Sequence, residues 1–143
     1  MRTGWCWAGA AALAALLAAS ADGRAQPAGP FDGFWMVDVS CAMGRDGAAP
    51  YRWHFPAEVR GGAVRGQRGQ PGQPNSSTLA GRIAPNGDAQ ITNDGLTGPP
   101  EYSVGRVAPG YPFHHDVVAH FAGRAGSGIA HGVRDCTYAF AKS

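Results

Sequence analysis

The fold of this chain is decided by residues 51–62, which read YRWHFPAEVRGG. In the first ten of these residues, apolar side chains occupy every second position, and the positions between them are mostly polar or charged. A period of two is that of a β-strand with one buried and one exposed face. Gly61-Gly62 then supplies the positive φ values of a two-residue turn, which places Val59 opposite Val64 on the buried face. The stretch therefore predicts an antiparallel hairpin.

The same alternation recurs before and after this hairpin. In residues 35–41, every second side chain, beginning with Trp35, is apolar. The cysteine that ends the segment is therefore expected on the same inner face. A second hairpin is centred on Asn86-Gly87. A strict two-residue turn there would place Ile83 and Ile91 on opposite faces, so burial of both predicts a loop of odd length.

The remaining segments complete an all-β pattern. We expect a short strand over 102–107, a last hairpin that turns within 123–128, and a mobile loop over 65–77, which is rich in Gly, Pro and Gln. No segment shows a helical apolar period over ten or more residues. The sequence predicts a small antiparallel up-and-down barrel, or a flattened sandwich, of seven or eight strands. The residues of the last hairpin expected to face the core are Phe113, Val117, Ala119, Phe121, Arg134, Cys136, Tyr138 and Phe140.

The first 25 residues have the three zones of a secretory signal peptide. A basic residue, Arg2, precedes an apolar run over 5–19, and small residues follow it. An uncleaved membrane anchor is the alternative interpretation. The run is shorter than the roughly 20 apolar residues that cross a bilayer, so we expect no membrane insertion after cleavage.

Cleavage is expected after Ala25, with Ala21 as the other position that fits. Residues 26–30 then form a short linker, and residues 31–143 form a single domain, which is large enough to bury its own core. The Ala-, Gly- and Arg-rich composition is typical of a bacterial chain. We therefore expect a periplasmic or secreted bacterial protein.

The charge of the exported domain is nearly balanced. After residue 25 the chain has 10 basic and 9 acidic residues, a net charge of +1. Such a balance offers no general attraction for nucleic acid or for an anionic membrane. We expect a monomer without a nucleic-acid partner.

Two cysteines, Cys41 and Cys136, remain once Cys6 has left with the leader. In an oxidising compartment they are expected to form a disulfide, and two separately buried thiols are the alternative. In the chain-entropy model, closing so long a loop stabilises the fold by about 4 kcal/mol. The bond also requires the first and last strands to be neighbours, which favours a closed sheet.

The sequence Gly33-Phe34-Trp35 is similar to the G-x-W motif that opens the first strand of lipocalins and other calycin barrels. The resemblance is one of topology and covers about residues 31–142, without the wider lipocalin motifs. In that family the Trp closes one end of the barrel and packs against an Arg of a late strand. The resemblance thus implies a barrel-closing pair formed by Trp35 and Arg134.

The chain also resembles small uncharacterised exported proteins of proteobacteria over nearly all of the exported segment. This resemblance implies export and a β-rich domain, and it identifies no catalytic residue. The stretches that carry it are 31–33, 55–59, 69–74, 95–98 and 102–105.

A cluster of histidines and aspartates is expected on the outer face of the last hairpin. If Phe121 pairs with Ala130, two histidines face each other and so do two aspartates. Facing carboxylates repel each other, and a bound zinc or copper ion would relieve the repulsion. The alternatives are a different register, or solvated surface groups without a ligand. The candidate metal ligands are His114, Asp116, His120, His131 and Asp135.

No residue stands in a catalytic pattern. His115 faces inward near Cys136, but a disulfide-bonded cysteine cannot act as a nucleophile. Ser127 lies between two glycines without the strand-to-helix context of a nucleophile turn. Glu58 and Glu101 are not placed as a catalytic pair. We expect no catalytic residue and no cofactor.

The inward aromatic side chains can fill a small barrel or line a pocket. We expect a non-enzymatic binding or interaction domain whose partner is a protein or a small apolar ligand. The alternative is a carrier of a small hydrophobic ligand. A metal-binding protein and a hydrolase are two further alternatives, which the sequence favours less. A protein partner would dock on the exposed Phe34 and Met36 and on a candidate interaction loop formed by Gln67, Arg68, Gln70 and Gln73.

Overall fold

The structure, a computed structural model, describes residues 28–143. The expected leader over 1–25 lies outside the described residues. Eight antiparallel strands follow each other around a closed barrel, and the first also pairs with the last. The predicted all-β up-and-down barrel is confirmed, as a closed barrel rather than a flattened sandwich. The strands are β1 (Gly33–Cys41), β2 (Tyr51–Arg60), β3 (Ala63–Arg68), β4 (Ser76–Ile83), β5 (Asp88–Leu96), β6 (Pro112–Ala122), β7 (Ala125–Ala130) and β8 (Cys136–Lys142).

The first two hairpins form as predicted. Gly61 and Gly62 have φ values of 54° and 78°, and Val59 pairs with Val64. Between β4 and β5, Ile83 pairs with Ala89, which leaves a loop of odd length and keeps the alternate side chains of both strands buried.

The strand expected over 102–107 does not form. The segment contains two short 3₁₀ turns, Pro100–Tyr102 and Val104–Arg106, in which Gly105 and Arg106 have positive φ. Prolines before and after it lack the N–H groups that would extend a sheet. Within the part of the chain that the structure describes, no helix is long and apolar enough to cross a bilayer.

The loop predicted over 65–77 is shorter than expected, because β3 continues to Arg68 and β4 begins at Ser76. Gly66, which suggested a loop, is instead a packing position inside β3. A Cβ atom there would lie 3.2 Å from the ring of Phe55, so the absent side chain makes room for that ring.

The register predicted for the last hairpin is wrong. Phe121 pairs with Gly126 rather than with Ala130, across a tight turn at Gly123-Arg124. A Cβ atom at Gly126 would lie 2.7 Å from the Phe121 ring, so only glycine fits beneath it. Residues 125–142 consequently form two strands, β7 and β8, instead of one.

Aromatic side chains fill one end of the barrel, which we call the closed end. The ring centroids of Trp35 and Phe121 lie 5.2 Å apart, and those of Phe121 and Phe140 lie 4.8 Å apart. The Trp35 indole N–H donates to the Phe31 carbonyl at 2.9 Å. Phe31 itself packs on Phe121, so the segment before β1 covers this end.

Cys41 and Cys136 are bonded to each other at the opposite end, called here the open end. The predicted disulfide is present in the structure. It joins the last residue of β1 to the first residue of β8, where the sheet closes on itself.

The expected barrel-closing pair of Trp35 and Arg134 does not form. In the β1–β8 ladder Trp35 pairs with Lys142, whereas Arg134 lies two residues before Cys136, at the other end of the ladder. Trp35 and Cys41 are six positions apart along β1, a distance of about 20 Å. The side chains of Trp35 and Arg134 therefore lie at opposite ends of the barrel.

Candidate functional site

The open end of the barrel contains a cavity of about 540 Å³. Its wall is formed by the inward faces of the same strands whose other side chains fill the closed end. A loop over 97–111 covers part of its mouth. The lining residues are Tyr51, Arg52, Trp53, Arg68, Asn75, Thr97, Gly98, Pro99, Tyr102, Ser103, Val104, Val107, Tyr111, Pro112, Phe113, His115 and Arg134.

One wall of the cavity is a row of aromatic rings. Tyr51 and Trp53 lie two positions apart on the inner face of β2, with their ring centroids 4.5 Å apart. Trp53 lies 5.9 Å from Phe113 of β6, and Phe113 lies 5.3 Å from the imidazole of His115. Phe55 continues the same face of β2 and is buried, whereas these four side chains remain half-buried because they face the cavity.

Arg68, the last residue of β3, lies flat against this wall. The central carbon of its guanidinium group is 3.8 Å from the Trp53 ring centroid, a cation–π contact. One terminal nitrogen donates to Asn75 Oδ1 at 2.8 Å, while Nε is buried and has no hydrogen-bond partner among the described residues. Burial lowers the pKa of Arg68, and an arginine remains charged at neutral pH in spite of such a shift.

Arg134 is buried next to Tyr51, with its guanidinium carbon 5.1 Å from the centroid of that ring. Its two terminal nitrogens donate to the carbonyls of Ala49 at 3.0 Å and Tyr102 at 2.8 Å. An inward arginine needs such a ring and such acceptors to offset its desolvation. Arg134 therefore joins the β1–β2 connection to the loop that covers the cavity.

His115 connects the cavity to the barrel interior. Its Nδ1 is 3.0 Å from the hydroxyl of Tyr138, which also accepts a hydrogen bond from the Asn93 amide nitrogen at 3.0 Å. The direction of the hydrogen bond between Nδ1 and the Tyr138 hydroxyl depends on the tautomer of His115. Burial lowers the pKa of His115, so the imidazole is neutral at pH 7, and burial raises the pKa of Tyr138.

The covering loop is held in place by several hydrogen bonds. The Asp46 carboxylate accepts from the backbone N–H of Gly105 at 2.5 Å and of Ala48 at 3.2 Å. The hydrogen bond from the Gly105 N–H has the largest effect on the pKa of Asp46, which it lowers, and the bond from the Ala48 N–H lowers that pKa further. Thr97 closes the base of the loop, since its hydroxyl donates to the Ala108 carbonyl at 2.8 Å. The mouth of the cavity thus has a defined shape.

The candidate metal ligands are not brought together in one cluster. Because Phe121 pairs with Gly126, His120 lies opposite Ser127 and not opposite His131. Four contacts in three separate groups result, which join His114 to Asp94 and Asp116, His120 to Asp88, and His131 to Asp135. Among residues 28–143, no group of three or more His, Cys, Asp or Glu side chains is arranged to hold a metal ion.

The candidate interaction loop divides into two parts. Gln67 and Arg68 belong to β3, where Gln67 accepts from the Thr78 hydroxyl at 2.7 Å and Arg68 stacks on Trp53. Gln70 and Gln73 are exposed on the 69–75 turn. Arg68 is therefore a cavity residue, and protein binding by the two exposed glutamines stays a prediction.

The roles of Arg68 and of the 97–111 loop at the cavity were not among the predictions from the sequence. The alternation of β3 could have revealed Arg68, because it has the same parity as Val64 and Gly66 and therefore faces inward. The loop gave no periodic pattern, and its position over the cavity follows from its contacts with Arg134 and Asp46.

Comparisons of the chain with protein-family models, with curated proteins and with solved structures find no match.

Proposed function

We propose that this protein is an exported, non-enzymatic binding domain that holds a small molecule with an apolar body in the cavity at the open end. The observation that carries the proposal is the contrast between the two ends of one barrel. Trp35 and Phe121 fill the closed end, whereas Trp53 and Phe113 border about 540 Å³ of open space. Ligand pockets have volumes in this range and mainly apolar and aromatic walls.

The side chains around the cavity support binding rather than chemistry. The Ser103 hydroxyl donates to the Pro99 carbonyl at 3.3 Å, and both cysteines of the exported domain are in the disulfide. His115 has a tyrosine, and no carboxylate, on Nδ1. In a catalytic triad a third group, often a carboxylate, orients the histidine and stabilises the imidazolium that forms when it takes the proton of the nucleophile.

An exported location is supported by two independent features. The first 25 residues have the pattern of a leader, and Cys41 and Cys136 form a disulfide, a bond that persists in oxidising compartments. We propose the periplasm or the exterior of a bacterial cell. Amino-terminal sequencing of the protein from cell fractions tests this, and a full-length amino terminus in the cytoplasmic fraction would refute it.

Binding is tested with an uncharged fluorescent probe, N-phenyl-1-naphthylamine, whose emission rises in apolar surroundings. We expect saturable binding of one probe per chain, weakened by Trp53→Leu. The matched control is Phe34→Leu, which removes an aromatic side chain that is 64% exposed at the closed end and distant from the cavity. Non-saturable binding, or an equal loss in the two variants, would refute the proposal.

A further inference from the structure

The charged side chains that line the cavity are all arginines. Arg52, Arg68 and Arg134 line it together with His115, and none of the lining residues is an aspartate or a glutamate. Over the whole chain the balance is close to neutral, with 12 basic and 10 acidic residues. The cavity is therefore a local concentration of positive charge in an almost neutral protein.

Arg134 is buried and Arg68 is half-buried, and the charge of Arg134 acts on the Asp46 carboxylate without a direct contact. Among the described residues, neither Arg68 nor Arg134 forms an ion pair, and the ion pairs of the barrel join other side chains on its outer face. Removing a charge from water without an opposite charge is costly. The rings of Trp53 and Tyr51 offset only part of that cost, because a cation–π contact is weaker than a buried ion pair.

The hydrogen bonds of both guanidinium groups are incomplete. Arg68 uses one terminal nitrogen on Asn75, and its buried Nε has no acceptor among the described residues. Each terminal nitrogen of Arg134 carries two N–H groups and makes one bond to a carbonyl. A planar oxyanion that enters the cavity would supply the missing acceptors to two groups built to bind it.

We propose, on the basis of the binding function above, that the ligand is a small carboxylate with a planar apolar body, whose charged group binds at Arg68 and Arg134. The row formed by Tyr51, Trp53 and Phe113 gives the cavity an aromatic wall against which such a body can pack. The two arginines flank the first two of these rings, so one ligand can contact the wall and a guanidinium group at the same time.

The test compares two ligands of the same shape that differ in charge, 1-naphthaleneacetate and its neutral amide, 1-naphthaleneacetamide. Each displaces the uncharged probe from the purified protein at pH 7.5, and direct titration followed by tryptophan fluorescence checks the affinities. We expect the carboxylate to bind about ten-fold more tightly or better, the usual gain from a charge-assisted hydrogen bond. Its affinity should fall with added salt, while that of the amide should not.

Two variants of β3 assign the effect to the cavity. Arg68→Met keeps an apolar stem against Trp53 and removes the charge, so it should reduce carboxylate affinity about ten-fold and leave amide affinity within about two-fold. Arg65→Met removes the same charge from an exposed position three residues earlier on the same strand and should change neither. If Arg68→Met fails to fold, the salt dependence of the unaltered protein decides.

The outcomes distinguish the two proposals. If the uncharged probe binds but carboxylate and amide displace it equally, the binding function stands and the carboxylate inference is refuted. If Arg65→Met weakens carboxylate binding as much as Arg68→Met, the preference comes from the overall charge and the inference is also refuted. If neither the probe nor the two naphthalene compounds bind, both proposals fall.

Discussion

Cys41 and Cys136 are direct partners in the β1–β8 ladder, so their disulfide lies across the junction that closes the barrel. The bond links residues 95 positions apart, and in the chain-entropy model a loop of that length stabilises the fold by about 4 kcal/mol. The double variant Cys41→Ala/Cys136→Ala should lose about that much free energy of unfolding, measured with guanidinium chloride. The unaltered protein with reductant should behave like the variant, and a loss below about 1 kcal/mol would contradict the expectation.

Asp32 fixes the first hairpin turn from outside the strand. Its carboxylate accepts from the backbone N–H of Gly61 at 2.8 Å and of Gly62 at 3.3 Å. Asp32→Ala should reduce the free energy of unfolding by about 1–2 kcal/mol at pH 7, because two backbone donors lose a charged acceptor. Asp38→Ala is the control, since it removes an exposed carboxylate whose partner, within residues 28–143, is the exposed His54.

The effect of Asp32 should depend on pH in a defined direction. The Gly61 N–H, above all, holds the pKa of Asp32 below its usual 3.8. The stabilisation is therefore complete above pH 3.8 and is lost as the pH falls through the lower pKa of the folded state. The difference between Asp32→Ala and the unaltered protein should shrink on acidification below pH 3.8, and a constant difference would show that the carboxylate charge is not involved.

Much of the barrel could be predicted because two constraints act together on each early hairpin. Burial fixes which face of a strand is inward, and Gly61-Gly62 fixes where the chain turns, so the Val59–Val64 register has one solution. At Ile83 and Ile91, the demand that both be buried was enough to overrule the common two-residue turn.

The last hairpin shows why the remaining register could not be predicted. Pairing Phe121 with Gly126 or with Ala130 differs by four residues, an even number, so the same side chains face inward in both. Glycines at 123, 126 and 128 permit several turns. The choice depends on the fit of the Phe121 ring over Gly126, a contact that no pattern in the sequence reveals.

The candidate site could be predicted from the sequence only in part. Alternation placed Trp53 and Phe113 inside, but it could not say whether they fill the barrel or border a cavity, because that depends on how much of the open end the 97–111 loop occupies. The glycines and prolines that closely follow Arg68 predict a loop there, whereas its contact with Trp53 makes it part of the wall.

Phe121 and Phe113 test the contrast between the two ends. Phe121 is 1% exposed and touches three aromatic rings, so Phe121→Ala should cost about 3–5 kcal/mol of the free energy of unfolding. Phe113 is half-buried beside open space, so Phe113→Ala should cost only about 1 kcal/mol while weakening binding of the uncharged probe. Equal losses in denaturant unfolding would mean that both ends are packed alike.

His114 should stabilise the barrel only when it is protonated. Its two ring nitrogens lie 2.5 Å from Asp94 and 3.0 Å from Asp116. These hydrogen bonds, and the one to Asp94 above all, raise the pKa of His114 above 6.5. The contribution is present below pH 6.5 and is lost as the pH rises through the raised pKa. His114→Gln should thus lower Tm more at pH 5.5 than at pH 9, by an amount that high salt reduces because the pair is exposed.

His115, the next residue, should have the opposite pH dependence because it faces the cavity. Burial lowers its pKa below 6.5, so the unfolded chain takes up a proton that the folded barrel does not. Stability should therefore fall as the pH decreases from 6.5 through the lowered pKa, and His115→Gln should remove that part of the acid destabilisation. The measurement is Tm between pH 7.5 and 5 for both proteins. A variant that loses stability on acidification as steeply as the unaltered protein would show that the imidazole is not neutral beside Tyr138.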